Sequence, residues 1–359
     1  MTNYNFFKTD TMIKSIMLLT VMLLSACNSD EQSEETAEKG FVNLIDENRM
    51  TLVLSVPSVN NDYYQDVHQQ IVDFHIAYAK AVMHHDNIVV VADAATMPLL
   101  EGQLPNDILL EENIDDIWMR DFTTVIPSNP IQFNYRPSYF ENMSDATFIQ
   151  NQFRQFSNRY NVQYRTTNLI LDGGNIVDNN NNMAITTTRF LEDNNLTHDQ
   201  GVAALQNELQ LDYVAIIPYD DAVMGHADGM VMFADDNTVL VNIYDEPFRT
   251  KVLDSLANQL PEDITIVEVP AEFDNSIWDV FASACGVNLN SVVTHNHIYT
   301  PVFDNNTDNQ AINIIQQNTS KTVHTIPAKN VCFMGGSVRC LAWQIEGENA
   351  RKIIEAAQL

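Results

Sequence analysis

Cys340 closes the run Gly335-Gly336-Ser337-Val338-Arg339-Cys340 near the end of the chain. A thiolate is a potent side-chain nucleophile, and a glycine pair lets backbone approach a ligand closely. A nucleophilic cysteine also needs an acid/base and a means of holding its substrate. Both stand far upstream, in Trp118-Met119-Arg120-Asp121 and Gly225-His226-Ala227-Asp228. Cys340, His226, Asp121 and Asp228 together supply a nucleophile, a proton carrier and two anions able to hold a cation.

Each group has a plainer alternative. Asp115, Asp116 and Asp121 crowd a segment ahead of a strand-like run, Phe122 to Ile126. An aspartate there can grip a guanidinium in a bidentate fork, or be satisfied by its own turn or by Arg120. On an extended strand His226 and Asp228 share a face, which suits an acid/base beside a carboxylate. The same pair could ligate a metal or be structural, but no third ligand with matching spacing is evident. Asp172-Gly173-Gly174-Asn175 reads as a tight rim whose Asn175 could orient a histidine or substrate, or as a simple turn. His295-Asn296-His297 invites a metal or nuclease reading but is taken as an exposed polar turn between two β runs. Asp304 to Asp308 reads as an acidic turn, and no loop resembles an EF-hand.

The elements that must position these groups are short. β-rich runs recur at Met50 to Val56, Asn87 to Val91, Thr166 to Leu171, Met183 to Thr187, Val214 to Pro218, Met230 to Phe233, Val239 to Ile243, Ile264 to Val269 and Val292 to Tyr299. Amphipathic helical spacing covers Tyr63 to Met83, Ala146 to Tyr160, Asp199 to Leu209, Phe248 to Gln259 and Glu348 to Gln358. Strand pairs followed by helices predict an α/β domain of repeated units, although no clean sequence period is visible. The asparagine-rich run from Asp178 to Asn182 predicts a hairpin between Ile176 and Ala184.

Of 359 residues, 48 are acidic and 18 basic, a formal net charge of -30. Such a surface repels phosphates and argues against nucleic-acid binding. It concentrates cations, guanidinium and amines among them, although solubility alone also accounts for the charge. Residues 1–27 have the plan of a secretion signal: Lys8 and Lys14, a short apolar stretch from Ile16 to Leu24, then Ser25-Ala26-Cys27. The apolar stretch is too short to span a bilayer as a helix. Leu24-Ser25-Ala26-Cys27 resembles a bacterial lipobox, implying cleavage before Cys27, lipidation of its thiol and a membrane anchor. An ordinary secretory signal with a chance cysteine is the alternative. Asn28 after the cysteine, rather than Asp, points to the outer membrane of a diderm cell envelope. Residues 28–45 read as a flexible acidic tether, and 46–359 as a single catalytic domain. Cys285, Cys332 and Cys340 then remain. A Cys285–Cys332 bridge would leave Cys340 free in an oxidising compartment; two buried free thiols are the other reading. A Cys332–Cys340 bridge would consume the nucleophile.

Four motifs, Trp118-Met119-Arg120-Asp121, Asp172-Gly173-Gly174-Asn175, Gly225-His226-Ala227-Asp228 and Gly335 to Cys340, resemble in order and separation the agmatine deiminase and Porphyromonas-type peptidylarginine deiminase family. The family belongs to the guanidino-group modifying enzymes. The resemblance implies a pseudo-fivefold α/β propeller of ββαβ-type units, the pentein fold, around a central site. It implies Cys340 as nucleophile, His226 as general acid/base, and Asp121 and Asp228 as the carboxylates gripping a guanidinium. Trp118, Asn175, Gly335 and Gly336, within the same motifs, are expected at the substrate. Asn290, in Asn288-Leu289-Asn290, resembles a site asparagine of the peptidylarginine branch. Arg136, in Asn134-Tyr135-Arg136-Pro137, resembles an arginine of that branch that binds the substrate carboxylate. Two departures stand out: Arg49 to Pro57 lacks the tryptophan that usually opens the agmatine branch, and Ser138 replaces a second branch arginine.

The implied reaction needs no metal or organic cofactor: thiolate attack, loss of ammonia, a covalent thiouronium, then hydrolysis. A buried Arg136 facing the far end of the substrate would attract a carboxylate and repel an ammonium. It therefore predicts arginine or a peptidylarginine, converted to citrulline. Agmatine, converted to N-carbamoylputrescine, is the alternative. A lipid-anchored guanidine-binding protein without turnover and an amidinotransferase complete the set.

Overall fold

Two strands are buried along their whole length, β1 (Thr51–Ser55) and β2 (Asn87–Ala92), so β2 reads as an apolar run rather than an alternation. They pair in parallel, Thr51 opposite Asn87 through Ser55 opposite Val91. Parallel neighbours need a long crossover, and α1 (His68–Val82) supplies it. β3 (Leu109–Glu111) extends the sheet beyond β2. The computed structural model describes residues 49–359 except 138, 139, 141 and 221–223. The signal segment 1–27 with Cys27, and residues 28–45, lie outside the described residues.

A short helical turn, α2 (Met119–Phe122), comes next. β4 (Ile131–Asn134) and β5 (Arg165–Ile170) pair in parallel across α3 (Met143–Arg159), while Val125 bridges Ile131 from the antiparallel side. The order then recurs with a full hairpin. β6 (Val177–Asp178) pairs antiparallel with β7 (Met183–Thr187). After α4 (Arg189–Asn194) and α5 (His198–Leu209), β8 (Tyr213–Ile217) pairs parallel with β7. β9 (Val231–Asp235), β10 (Thr238–Asn242), α6 (Phe248–Gln259) and β11 (Thr265–Val269) repeat it. A separate hairpin, β12 (Ile277–Trp278) and β13 (Phe281–Ala282), intervenes. β14 (Val292–Val293), β15 (His297–Val302), α7 (Asp308–Gln317) and β16 (Thr322–Pro327) repeat the order again. β17 (Trp343–Ile345) returns to pair antiparallel with β1, and α8 (Gly347–Ala357) ends the chain. The first unit is therefore completed by the last strand.

Local chemistry explains particular elements. α5 starts at a reciprocal cap, in which Thr197 Oγ1 accepts from Gln200 N and Gln200 Oε1 accepts from Thr197 N; it stops at left-handed Gln210. Trp343 is fully buried, edge-on to Phe153 with ring centroids 5.0 Å apart, and its indole donates to Thr124 Oγ1 at 2.8 Å. It joins the closing strand to α3, and truncating such a core aromatic costs about 3–5 kcal/mol. Cys285 and Cys332 form a disulfide, and Cys340 is free. Among the described residues no helix is long and apolar enough to cross a membrane.

Three expectations differ from the structure. Phe122 to Ile126 is not a strand: Asp121 N bonds Trp118 O and Thr123 Oγ1 donates to Met119 O, closing a turn, and only Val125 bridges. The run from Val292 to Tyr299 splits, because Thr294 N donates to His297 O and turns the chain. Helix α7 was not among the expected helices; the acidic turn from Asp304 to Asp308 leads into it. The hairpin expected around residues 178–182 is present, with Asp178 opposite Ala184.

Candidate active site

The groups expected to react sit where the chain leads into the first strand of a unit. Asp121 lies on α2 ahead of Val125, the Gly173–Asn175 turn ahead of β6, and the Ala227–Gly229 turn ahead of β9. Asn290 precedes β14, and Cys340 precedes β17. His226 and Asp228 do not share an extended strand. Ala227–Gly229 is a 3-10 turn with His226 at its edge, and that turn delivers both side chains to one place.

Cys340 is 4% exposed. Its Sγ lies 3.2 Å from Asn290 Nδ2 and 3.9 Å from Asp228 Oδ2. Asn290 Oδ1 accepts from Ser337 Oγ at 2.9 Å and from Arg339 N at 3.2 Å. Asn290 thus holds the nucleophile's turn from within. Burial, then the charges of Asp228 and Asp121, push the Cys340 thiol well above its ordinary range. Both effects favour the neutral thiol over the thiolate.

His226 Nε2 bonds Asp172 Oδ2 at 3.1 Å, while Nδ1 stands 3.8 Å from Asp121 Oδ1 and has no hydrogen-bond partner. Burial would depress this histidine, but Asp121, the bond and charge of Asp172, and Asp228 outweigh it and raise it to about 9. His226 is therefore an imidazolium near neutral pH. Burial raises Asp121 to about 7, opposed by His226 and reinforced by Asp172 and Asp228. Asp228 is also raised by burial, against the pull of His226, Arg339 and Arg120.

Gly174 shows where these groups converge. A Cβ built there would stand 2.6 Å from Asp121 Oδ1, 2.8 Å from His226 Nδ1 and 3.2 Å from Asp228 Oδ2. Any side chain would fill the space the three groups share. Asn175 does different work: its Oδ1 accepts from Thr187 N and Ala227 N, each at 3.1 Å, and so braces the His226 turn.

Asp172, Asp178, Arg120 and Arg339 were not singled out from sequence. Arg120 donates to Gly173 O at 3.0 Å and Ile176 O at 2.7 Å. Both arginines approach Asp178, at 3.8 and 3.6 Å, and Arg339 Nε lies 3.9 Å from Asp228. Burial, then Arg339, lowers Arg120 to about 10, which leaves it charged. The connected buried set holds four aspartates, 121, 172, 178 and 228, against Arg120, Arg339 and protonated His226. The signal available in the sequence was adjacency, since Arg120 and Arg339 flank Asp121 and Cys340 in a chain poor in basic residues.

A cavity of about 680 Å³ reaches Asp121 and Trp118. Its walls carry Tyr63, Tyr64, Phe140, Phe148 and Phe281 together with Asp115, Asp116, Asp145 and Asp279. No Lys or Arg is among its described lining residues. Gly336 lets Trp118 lie against the nucleophile's turn: a Cβ there would meet the indole at 2.4 Å and Cys340 Cβ at 3.0 Å. Gly335 turns the chain with φ +103°. Arg136 corrects an expectation: it is exposed and absent from the lining, whereas its neighbour Tyr135 is buried and present. Tyr135, rather than Arg136, lines the cavity. The cluster of metal-ligand spacing among the described residues, His85, His297 and His324, shares no residue with this site.

Known proteins share this fold and sequence pattern. A solved agmatine deiminase from C. jejuni superposes with a TM-score of 0.66 at 17% identity, covering 84% of this chain and 94% of that one. The agmatine deiminase of Enterococcus faecalis gives 0.67 at 15% identity over the same shares. These matches show a shared α/β fold. In sequence, the agmatine deiminase of Pseudomonas fluorescens is 23% identical over 324 residues, 75% of this chain and 86% of the relative. The family model for Porphyromonas-type peptidyl-arginine deiminases matches residues 46–345. The chain therefore belongs to the Porphyromonas-type peptidyl-arginine deiminase family, enzymes that hydrolyse guanidino C–N bonds.

Proposed function

We propose that this chain deiminates a small guanidino compound with a cationic far end, of the agmatine kind, through a covalent Cys340 intermediate. The observation that carries the reaction is the convergence of Asp121, His226 and Asp228 around Gly174, with the Cys340 thiol 3.9 Å from Asp228. The carboxylates receive the guanidinium and fix its carbon near sulfur. The bound cation favours the thiolate, whose proton leaves to solvent. Sulfur attacks carbon to give a neutral tetrahedral adduct. The imidazolium of His226 gives a proton to one amino group, which departs as ammonia and leaves an S-alkylthiouronium. Neutral His226 then takes a proton from water as the oxygen attacks. Collapse expels the thiolate and a proton and releases the ureido product. The unpartnered Nδ1 of His226, facing the same space as Asp121, suits both transfers.

The cavity supports the choice of substrate. Five aspartates and no described cation line it, a field that favours an ammonium over a carboxylate. Arginine or a peptidylarginine is the second reading, favoured by the family's description. We further infer that the repeated strand order, with each unit's leading segment delivering a site residue, reflects the pseudo-fivefold propeller. The signal at residues 1–27 supports export and anchoring to the outer membrane through Cys27.

Incubation with agmatine, arginine, and peptides with internal or C-terminal arginine, followed by assay of the ureido product, tests the reading. Preference for agmatine is expected. Turnover of arginine or peptides alone would overturn the substrate, and no turnover of any reduced, folded sample would overturn the reaction.

A further inference from the structure

His295-Asn296-His297 reads from sequence as a polar turn. In the structure the two histidines part company. His295 Nε2 bonds Glu346 at 2.9 Å, whereas His297 joins His85 and His324 in a group from three separate elements. His297 opens β15, His324 lies on β16, and His85 stands just ahead of β2. One ring nitrogen from each lies within 4.8 Å of the others, and all three side chains are half-buried, within reach of solvent.

We propose that His85, His297 and His324 form a binding site for a divalent transition metal of the zinc class. Imidazole nitrogen suits Zn, Cu and Ni, whereas Ca and Mg prefer oxygen ligands. Three histidines with a fourth position open to water are a recognised zinc arrangement. Zinc–nitrogen bonds of about 2.0–2.1 Å put tetrahedral donors about 3.3 Å apart. His297 Nδ1 and His324 Nε2 are already 3.1 Å apart. The His85 ring is stacked on His324 with centroids 4.0 Å apart, and its ligand nitrogen, within 4.8 Å of the other two, has to close to about 3.3 Å. A single hydrogen bond accounts for two of the rings; a metal ion uses all three.

The support behind the rings is firm. Tyr299 stacks on His324 at 5.3 Å, and its hydroxyl donates to Asp86 Oδ2 at 2.9 Å. Asp86 is held by Met50 N and Thr294 Oγ1, and Arg49 Nη1 donates to the His85 carbonyl at 3.0 Å. These contacts fix Tyr299 and the backbone ahead of β2, the surfaces against which the rings lie. The ion would tie the start of β2 to β15 and β16, joining the first unit to the last. Binding only the folded chain, it would raise stability.

The test uses the full chain, free of any polyhistidine tag, with Cys27→Ser and Cys340→Ser removing the thiols outside the disulfide as competing ligands. Equilibrium dialysis against Zn²⁺ with elemental analysis should find one more bound ion than in a chain also carrying H85A, H297A and H324A. Zinc should raise the parent's Tm by several degrees and leave the triple variant's unchanged. Cobalt should give the intense visible absorption of a tetrahedral site in the parent only. Should the triple variant fail to fold, His324→Gln alone should weaken zinc binding at least tenfold. In the chain with Cys340 intact, His324→Gln should deiminate at the parental rate. Equal zinc content and equal Tm shifts in parent and variants, or no zinc retained by the parent, would overturn the proposal.

Discussion

Cys340, His226, Asp121 and Asp228, at the floor of the site, are between 1% and 4% exposed. Each is held by a protein partner: Asn290, Asp172, Gly174 N and Arg339 respectively. The cavity wall differs. There Tyr63 is 48%, Phe148 55% and Val280 68% exposed, and Asp145 and Asp279 face solvent. In the buried floor, charges interact strongly and set protonation states; at the wall, solvent screens them. On the proposed mechanism the floor carries the rate, and the wall biases which substrate arrives. A change at the floor should reach kcat, whereas a change at the wall should move KM.

The largest expected effect is at the nucleophile. Cys340→Ala should lower deimination on the order of 10⁴-fold or more with the fold intact by circular dichroism. Residual turnover within tenfold of the parent would place the chemistry elsewhere. His226→Asn should remove the proton carrier and lower kcat by roughly 10²–10⁴-fold with little change in KM. The floor also sets a pH window. Below about 7 Asp121 gains a proton and loses its hold on the guanidinium; above about 9 His226 loses the proton it must donate. A plot of kcat/KM against pH should be bell-shaped between these limits, which belong to the coupled pair. A profile still rising above pH 9 would mean that forming the Cys340 thiolate limits the rate. Asn290→Ala should cost about 1–3 kcal/mol of stability, because Ser337 Oγ and the Cys340 turn lose a buried partner. The smallest effect is at the wall. Asp115→Asn with Asp279→Asn should raise KM for agmatine by a few-fold, an effect that fades with added salt, with kcat held. A fall in kcat instead would erase the distinction between floor and wall.

Much of the floor was legible because its residues lie in short motifs whose chemistry is unusual. A Gly-Gly pair before Cys340, and a histidine two residues from an aspartate, are informative without coordinates. Asp172 and Arg339 were harder to single out. Their meaning comes from a hydrogen bond to His226 and a 3.9 Å approach to Asp228, contacts between segments distant in sequence. Arg136 was misplaced for a related reason: side-chain direction depends on which neighbour the core claims, and the core claims Tyr135. The β-rich run Met183–Thr187 and the helix Phe248–Gln259 were read from residue type and spacing, whereas α7 was missed although Ala311, Ile312, Ile314 and Ile315 stand at helical spacing among its Asn and Gln residues.

By itself the amino-acid sequence determined the kind of chemistry available, the strongly acidic surface, the family and most of the regular elements. These depend on residue identity and local periodicity, which the chain carries wherever it goes. Only the tertiary structure decided that Cys285 pairs with Cys332, that Asn290 lies against the nucleophile, and that Arg136 stands outside the cavity. It also decided that His85, His297 and His324 meet. The reason is that the first unit closes only when β17 pairs with β1, so groups from both ends of the chain become neighbours through packing that no local pattern encodes.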